Sequence, residues 1–334
     1  VSSRAEIPLT MQQFEIDNQK YQAVSVPGAD TKDLSPCRLD EIDMIVPVEG
    51  GSDLRLTRIY NSFFNPKGPW GHGWTLDLPR LVAIRVPVDR RNGSSSYTVG
   101  YELITPLNSQ RARFLNKIPV LGFSNPKAPV MDPNSPFQNM DVVKPDFFQN
   151  ITTRVLVLKN GQEWYFTVHG DLVALKDGAQ TTIYERNTNG QVSRIVSLTG
   201  GQLVGEIALE YDADRKLRKA IGKSLGTKQS GPTEITYSYD DAARLIGVTS
   251  DDGTLGYRYE NSLISGITWQ DQGSSRPPET LRTFSYNEQG QLLAEMVDSL
   301  SIIHAVTRTP KGLIASTQIK PGDGEDFGSK SITQ

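Results

Sequence analysis

The sequence contains one cysteine, Cys37, among 334 residues. A single cysteine excludes an intrachain disulfide and any zinc site built from cysteine pairs. We interpret Cys37 as a semi-buried structural residue. The lack of disulfides is compatible with the cytosol and equally with a large secreted bacterial protein.

Long apolar runs and an excess of positive charge are also missing. Since no run of about 18 apolar residues is present, we expect no membrane-spanning segment. The formal net charge of −3 provides no basic surface for nucleic acid. The first residues, VSSRAEIPLTMQQF, have neither the basic nor the apolar region of a signal peptide. Because the sequence starts at Val1, we expect a processed or cut N-terminus.

Motifs for the common catalytic chemistries are missing too. The three histidines are far apart, and neither His-Glu-x-x-His nor Gly-x-Ser-x-Gly occurs. Neither a Gly-rich phosphate loop nor a calcium-binding loop is present. We therefore expect no catalytic residue, no cofactor and no metal. Acidic residues that could pair for glycoside hydrolysis lie where Asp favours turns for backbone reasons. These residues are Asp240, Asp241, Asp251, Asp252, Glu260 and Asp271.

The sequence is rich in alternating strand patterns separated by turn residues. Residues 235–250, ITYSYDDAARLIGVTS, predict one β-hairpin. Tyr237 and Tyr239 alternate with polar residues and therefore project from one face of a strand. Asp240 ends that strand because Asp side chains bond nearby backbone amides, and Leu245 lies on the returning strand.

This pattern recurs along the chain, with tyrosines at 184, 211, 239, 259 and 286. The unit that starts at Tyr259 has a shortened turn, and the unit that starts at Tyr286 has a full one. The period is typical of stacked repeats, and an isolated hairpin is only marginally stable. We predict an all-β stack of hairpins in which the repeated residues are structural. They are Tyr184, Tyr211, Asp212, Leu217, Tyr237, Tyr239, Asp240, Leu245, Tyr259, Leu263, Tyr286, Gly290 and Leu292.

Composition divides the chain into consecutive segments. We predict an extended leader (1–42), an entry β region (43–104), a Pro-rich irregular insertion (105–146), the hairpin stack (147–310) and a flexible tail (311–334). Prolines in the insertion argue against a central strand there, because proline cannot donate to a sheet ladder. Asn160-Gly161 predicts a type I′ hairpin turn near the start of the stack.

Several stretches carry a resemblance to a known family. They are YSYDDAARL (237–245), FSYNEQGQL (284–292), YDADRKL (211–217) and YERNTNGQV (184–192), with LRLTRIYNS (54–62) and GPWGHGWTL (68–76) upstream. Together they resemble the YD repeats and the entry segment of bacterial RHS proteins, over about residues 40–306. Arg215 and Ala243 stand where the family repeat has Gly. Because a left-handed residue other than Gly costs roughly 1 kcal/mol, we expect turns of another type there.

The resemblance implies a β-cocoon shell around a toxic polypeptide. About five repeats are too few to close such a shell, so we expect an open or partial cocoon or solenoid. No toxin domain and no Asp-Pro-x-Gly signature is present. An open stack leaves two sheet edges, and we expect the leader or another chain to cap them.

The implied function is a non-enzymatic scaffold that wraps, carries or presents another polypeptide in toxin delivery or cell-contact competition. The implied location is secreted or at the cell surface, and the partner is a toxin cargo, the rest of a shell or a secretion partner. An alternative is a surface module that binds a glycan or a protein, and a third is a glycan hydrolase near Trp70–Trp74. The candidate binding residues are Trp70, His72, Trp74, Trp164 and Trp269.

Overall fold

The computed structural model describes residues 12–16, 19–23, 37–62, 67–87, 97–104, 111–115, 137–142, 152–158, 160–225, 233–288, 290–297, 300–309, 312–321 and 331–332. Every regular element in these ranges is a β-strand, and all the pairings given below are antiparallel. The predicted all-β class with sequential hairpins is therefore confirmed. The same ranges contain no helix long and apolar enough to cross a membrane.

The chain forms two compact units, each assembled from separate parts of the sequence. The first unit comprises Val1–Asp40, Tyr60–Thr75 and Ile235–Gln334, and the second comprises Glu41–Ile59 and Leu76–Glu234. The consecutive segments predicted from composition remain predictions. The packing units are discontinuous because early residues pack against hairpins that follow much later in the chain.

A short hairpin lies within the predicted extended leader. Strand β1 (Gln12–Ile16) pairs with β2 (Gln19–Ala23), and Phe14 stands opposite Tyr21 in the register. In both strands polar and apolar residues alternate with period two, which is the pattern of a strand. The many polar residues in this segment obscured that alternation in the sequence analysis.

The entry region supplies short strands before the hairpin series. A three-stranded sheet has the order β3-β4-β7, and β5 pairs with β6. These strands are β3 (Arg38–Val46), β4 (Leu54–Asn61), β5 (Lys67–Gly68), β6 (Gly71–His72) and β7 (Trp74–Leu76). The alternating residues of EIDMIVPV (41–48) predict one short strand, and the observed β3 begins three residues earlier, at Arg38.

The second unit contains a three-stranded sheet and a longer series. The sheet has the order β10-β9-β8, with β8 (Arg80–Pro87), β9 (Tyr97–Ile104) and β10 (Arg111–Leu115). In the longer series each strand pairs with the next. Its strands are β11 (Phe137–Val142), β12 (Thr152–Leu158), β13 (Glu163–Thr167), β14 (Leu172–Asp177), β15 (Gln180–Arg186), β16 (Val192–Thr199), β17 (Gln202–Tyr211) and β18 (Leu217–Ser224).

Two of these strands correct the prediction of an irregular insertion over residues 105–146. Both β10 and β11 fall inside it, and both run through parts of the insertion that contain no proline. Asn92-Gly93 is a dipeptide that favours hairpin turns and predicts one between β8 and β9, but it lies outside the described residues.

The first unit continues with a second series of sequential hairpins. Its strands are β19 (Thr233–Tyr239), β20 (Leu245–Thr249), β21 (Gly253–Glu260), β22 (Leu263–Asp271), β23 (Glu279–Tyr286), β24 (Leu292–Val297), β25 (Leu300–Thr309), β26 (Gly312–Pro321) and β27 (Ser331–Ile332). Strand β26 pairs along its whole length with β25, within the predicted flexible tail. The Gly- and Asp-rich residues after Pro321 suggested that tail, whereas the alternating residues before it form a strand.

Apolar side chains form the core of the second unit. Leu81, Leu103 and Leu156 pack with Phe166 and Leu172, and all five are buried. Close packing also involves backbone, since a Cβ placed on Gly170 would lie 1.7 Å from the Leu81 carbonyl oxygen. The positive φ of Gly170 and this contact both require glycine there.

A buried ion pair joins two entry strands within the second unit. Arg58 is fully buried, and its Nε lies 2.7 Å from Oδ1 of Asp43. The strand pattern of residues 54–60 placed Arg58 on an apolar face. A buried charge needs a hydrogen-bonded partner there, and Asp43 provides it.

Candidate functional site

The repeated hairpins share one five-residue turn. In the turn that starts at Asp240, the Asp240 amide donates to the Arg244 carbonyl at 3.1 Å, and the Ala243 amide donates to the Asp240 carbonyl at 2.9 Å. Oδ1 of Asp240 accepts from the amides of Ala242 and Arg244 at 3.0 and 2.9 Å. The same backbone bonds recur in turns whose first residues are Asn187, Asp212 and Asn287.

The fourth residue of each of these turns is left-handed. Its φ is +78° at Gly190 and +75° at Gly290, and it is +65° at Arg215 and +60° at Ala243. The prediction that Arg215 and Ala243 occupy turns of another type is therefore wrong. Backbone bonds and the Asp side chain hold the turn, and each net hydrogen bond is worth about 1 kcal/mol, enough to offset the strain.

Two further turn predictions have different outcomes. At Asn160-Gly161 only Gly161 has a positive φ, and the Gly161 amide donates to the Leu158 carbonyl at 2.9 Å. A type I′ turn needs positive φ at both central residues, so that prediction is wrong. The shortened turn after Tyr259 is confirmed, because Asn261 and Ser262 are both left-handed between paired strands.

In the first unit, tyrosine hydroxyls join consecutive hairpins. The Tyr259 hydroxyl donates to the Leu245 carbonyl at 2.8 Å, and the Tyr286 hydroxyl donates to the Ile264 carbonyl at 2.8 Å. Leu245 stands opposite Tyr239 in the register, and Ile264 stands opposite Tyr259. Each tyrosine therefore donates to the backbone of the preceding hairpin, at the residue opposite the preceding tyrosine. We call this bond the rung bond.

The rung bond also occurs in the second unit. The Tyr211 hydroxyl donates to the Val192 carbonyl at 2.6 Å, and Val192 stands opposite Arg186. Arg186 in turn donates through Nη2 to the Leu172 carbonyl at 3.4 Å, and Leu172 stands opposite Phe166. An arginine thus occupies a tyrosine position and reaches the equivalent carbonyl.

The structure changes the assignment of Tyr184. Tyr184 stands opposite Ile195, two residues before the position that immediately precedes the turn. That position belongs to Arg186, so the rung-bond donor of this unit is Arg186 and not Tyr184. Tyr184 instead packs against the core of the second unit, where burial, with a further contribution from Asp77, raises the pKa of its hydroxyl.

A further unit, Phe166–Leu172, was missed by the sequence analysis. The Thr167 amide donates to the Asp171 carbonyl at 2.9 Å, and the Gly170 amide donates to the Thr167 carbonyl at 3.0 Å. Oγ1 of Thr167 accepts from the amides of His169 and Asp171, as Oδ1 of an Asp would. The usable signal was the spacing from a hydrogen-bonding residue to Gly and then to Leu, with Thr allowed in place of Asp.

The predicted leucines and Tyr237 lie in or against the core, whereas Asp212, Asp240 and Gly290 lie in the turns. Leu217 and Leu245 are fully buried, Tyr237 and Leu292 are buried, and Leu263 is half-buried. Burial raises the pKa of the Tyr211 and Tyr286 hydroxyls well above the ordinary value. Both therefore stay protonated and able to donate throughout the neutral range.

The two candidate tryptophans of the entry segment are fully buried in the first unit. The Trp74 ring packs against Tyr60 and, edge-on, against Tyr257, each at 5.2 Å between centroids. Its Nε1 donates to the Tyr259 hydroxyl at 3.2 Å. The Trp70 ring meets the Tyr237 ring edge-on at 5.9 Å.

Glycines in the entry segment allow this close packing. A Cβ on Gly71 would lie 2.2 Å from the Ala243 carbonyl oxygen, and a Cβ on Gly73 would lie 2.6 Å from the Tyr60 ring. The Tyr239 hydroxyl donates to the Pro69 carbonyl at 3.4 Å. The entry segment thus supplies the carbonyl that a preceding hairpin supplies to the later tyrosines.

The remaining candidate binding residues are dispersed. His72 is half-buried in β6, and Trp164 is half-buried against the core of the second unit. Trp269, in the first unit, is half-buried and donates through Nε1 to Oδ1 of the exposed Asp271 at 2.8 Å. The structure brings Trp70 and Trp74 into one aromatic core without bringing any exposed candidates together. The described residues contain no group of three or more His, Cys, Asp or Glu side chains suited to hold a metal ion.

A buried polar cluster surrounds Cys37 in the first unit. The Cys37 amide donates to Oγ of Ser62 at 2.9 Å, and its thiol bonds to the Tyr286 hydroxyl. The Tyr60 hydroxyl accepts from the Ile264 amide at 3.3 Å, so both backbone groups of Ile264 are bonded to tyrosines. Burial raises the pKa of the Cys37 thiol to about 12 and leaves it neutral.

Two charged side chains complete this cluster. Glu295 is 8% exposed, and its Oε1 lies 3.7 Å from Nη1 of Arg282. Oε1 accepts no hydrogen bond from the described part of the chain. Burial raises the pKa of Glu295, and the positive charge of Arg282 only partly opposes that effect.

Comparisons with known proteins give structural likenesses but no sequence family. No family model matches the chain. No curated protein matches it either. Among solved structures, the chain is similar to one described as the crystal structure of TcdB2-TccC3, with a TM-score of 0.38 and 12% sequence identity over 84% of this chain. The chain spans 16% of that structure's chain.

Proposed function

We propose that this chain is a non-enzymatic β-hairpin scaffold. Its paired hairpins, which we call the hairpin wall, wrap, carry or present another polypeptide. The rung bond is the observation that carries the proposal. Tyr211, Arg186, Tyr259 and Tyr286 each donate to the backbone of the hairpin before them. These regularly repeated side chains therefore hold adjacent hairpins together and are not free to act on a substrate.

The aromatic residues support the same function. Trp70, Trp74 and Tyr237 are buried against one another or against neighbouring rings. Aromatic pairs of this kind stabilise a core by about 0.5–1.5 kcal/mol beyond their buried area. A wall stabilised in this way can remain rigid while its outer surface contacts another molecule.

The biological role and location of the scaffold are proposed from the sequence resemblance alone. The YD-like stretches and the entry segment resemble RHS proteins, in which such walls form a cocoon around a toxic polypeptide. We accordingly propose a role in bacterial toxin delivery or cell-contact competition, with the protein secreted or at the cell surface. The partner would be a toxin cargo, a further part of a shell or a secretion partner.

The test is co-expression with the polypeptides encoded next to this chain in its own gene or operon. We expect one of them to co-purify in a fixed ratio and to resist trypsin in the complex. A matched protein carrying Tyr259→Phe and Tyr286→Phe should lose this protection at a lower urea concentration. Partner polypeptides that stay monomeric and trypsin-sensitive beside the folded chain would contradict the scaffold function.

A glycan-binding surface is the second candidate, and one observation favours it. The bond from Trp269 Nε1 to Asp271 Oδ1 fixes the orientation of a half-exposed ring next to an exposed carboxylate. A fixed aromatic face beside a hydrogen-bonding group suits the stacking of a sugar ring. Selective binding on a glycan array that Trp269→Ala abolishes, and Trp164→Ala preserves, would favour this function over the scaffold.

A further inference from the structure

The Cys37 segment (residues 37–40) enters the core of the first unit next to a buried charge. Its first residue is 1% exposed and is bonded on one side to Ser62 and on the other to Tyr286. The Ser62 amide also donates to the Cys37 carbonyl at 3.0 Å. The two bonds to Ser62 attach the segment to the end of β4, and the bond to Tyr286 attaches it to β23.

Glu295 on β24 is a poorly compensated charge in this place. Its nearest cation, Arg282 on β23, lies at 3.7 Å, which is beyond hydrogen-bond distance. A buried carboxylate is stable only when it is well paired or when it binds a proton. The charged form of Glu295 therefore destabilises the packed arrangement relative to the protonated form.

The other titratable groups of the Cys37 cluster are neutral. Cys37 and Tyr60 are buried and Tyr286 is half-buried. Burial raises the pKa of each, so all three stay protonated at neutral pH. On the adjacent strand β25, the register partner of Glu295 is Ile302, and the nearest titratable residue on that strand is His304.

We infer that ionisation of Glu295 weakens the attachment of the Cys37 segment to β23 and β24, so that this contact is a pH-sensitive latch. When the segment detaches, Glu295 reaches solvent and regains its ordinary affinity for a proton. The packed state binds the proton more tightly, because the pKa of Glu295 is raised there. The latch is accordingly closed at acidic pH and loosens as the pH rises through the raised pKa.

The unique thiol provides the measurement. Because Cys37 is the only cysteine, its reaction with 4,4′-dithiodipyridine under native conditions reports the exposure of this one thiol. The reaction rate of the wild type is divided by that of Glu295→Gln at each pH, so that the intrinsic pH dependence of thiol chemistry cancels. We expect this ratio to rise by about threefold or more between pH 4 and pH 8, and by no more than about tenfold per pH unit.

Two variants serve as controls. Glu279→Gln removes an exposed carboxylate from β23, and the ratio of wild type to this variant should stay flat with pH. His304→Gln tests the neighbouring strand, and the pH dependence should persist in it. A flat ratio for Glu295→Gln, or a pH dependence lost in His304→Gln, would overturn the inference.

A second measurement does not depend on the folding of any variant. Carboxyl carbon resonances of 13C-labelled glutamate report the ionisation of each side chain in the wild type. We expect one glutamate resonance to titrate well above the others and to be absent from Glu295→Gln, or, if that variant does not fold, to move when Arg282→Lys alters the nearest cation. If all glutamates titrate together near their ordinary value, the latch does not exist.

Discussion

The Arg186 guanidinium donates to the Leu172 carbonyl, the position that a tyrosine hydroxyl reaches in the neighbouring hairpins. An arginine in place of a tyrosine at this position is energetically unfavourable. Burial lowers the pKa of Arg186 because it disfavours the charged form, and the Arg186 Nε donates to no acceptor in the described residues. A neutral hydroxyl at this place would form the rung bond without an unpaired buried donor.

We therefore expect Arg186→Tyr to raise the free energy of unfolding by about 1 kcal/mol, measured as a shift of the urea midpoint. The Asp171 carboxylate interacts electrostatically with Arg186 and also forms an ion pair with Arg80 at 3.5 Å. Replacing Arg186 therefore leaves Asp171 paired with a cation. Arg218→Tyr, at an exposed position of β18, is the control and should leave the midpoint unchanged. A destabilised Arg186→Tyr would show that the arginine contributes more than the rung bond.

The rung bonds of the first unit can be tested by removing single hydroxyls. Tyr286→Phe leaves the buried Ile264 carbonyl without its donor and should cost about 1 kcal/mol. Tyr259→Phe should cost more, because the Tyr259 hydroxyl also accepts from the Trp74 indole, whereas the second partner of the Tyr286 hydroxyl is the Cys37 thiol, a weaker donor. Chemical denaturation ranks the two variants, and equal or negligible losses would contradict the importance of this bond.

The strained turns should respond to glycine. Arg215 and Ala243 hold left-handed conformations, so Arg215→Gly and Ala243→Gly remove a strain of roughly 1 kcal/mol each. Part of this gain is offset by the greater backbone freedom of glycine in the unfolded chain. Each variant should have a slightly higher melting temperature, while Gly190→Ala and Gly290→Ala should melt lower. The opposite order would mean that these turns relax when the side chain is removed.

Gly71 should tolerate no side chain. An alanine there meets both the left-handed backbone and the Ala243 carbonyl at 2.2 Å, and we expect Gly71→Ala to cost more than 2 kcal/mol, on the order of the larger single-residue losses. Gly273 has a similar φ of +70° but open space around it. Gly273→Ala therefore measures the backbone strain alone, about 1 kcal/mol. Equal losses in the two variants would disprove the close contact.

Asp240 should make the stability of its hairpin depend on acid. Burial raises the pKa of its carboxyl, but the bonds from the Arg244 amide and guanidinium and from the Ala242 amide lower it further, so the net pKa lies below its ordinary range. A lowered pKa means that the stabilisation is complete above the ordinary pKa and is lost as the pH falls through the folded-state pKa. Asp240→Asn should therefore be less stable than the wild type at pH 7 and should match it more closely near pH 2.

Urea midpoints measured from pH 7 to pH 2 give this comparison. Asp241→Asn, at the exposed neighbouring position, should follow the wild type throughout. A constant difference between wild type and Asp240→Asn over the whole range would show that the carboxylate charge has no part in the turn.

Local patterns made most of the fold predictable. The hairpins around Tyr239 and Tyr286 follow from residues within one turn, and strand alternation fixes their faces. The assignment of Tyr184 failed because an arginine can donate to the same carbonyl as a tyrosine, whereas the predicted repeat has tyrosine alone at this position. The turns at Arg215 and Ala243 were misjudged because the side-chain bonds that hold them are not visible in a residue's own propensity.

Contacts between distant residues were beyond such patterns. Glycines beside Trp70 and Trp74 indicate backbone close to large rings, and the structure has that arrangement. Most of the aromatic partners come from much later in the chain, as in the bond from Trp74 to Tyr259, 185 positions on. The pairing of Arg58 with Asp43, and the position of Glu295 next to Cys37, likewise depend on the assembled fold.

That same bond from Trp74 to Tyr259 has a consequence for synthesis on the ribosome. Translation proceeds at about 5–20 residues per second, so Trp74 leaves the ribosome roughly ten to forty seconds before Tyr259 is made. The hairpins close with their sequence neighbours as they emerge, whereas Tyr237, Tyr257 and Tyr259, which contact the entry tryptophans, are not yet made during most of that interval. The nascent chain therefore presents two large apolar rings to the cytosol for tens of seconds, which makes residues 68–76 the segment on which a chaperone that follows translation would act.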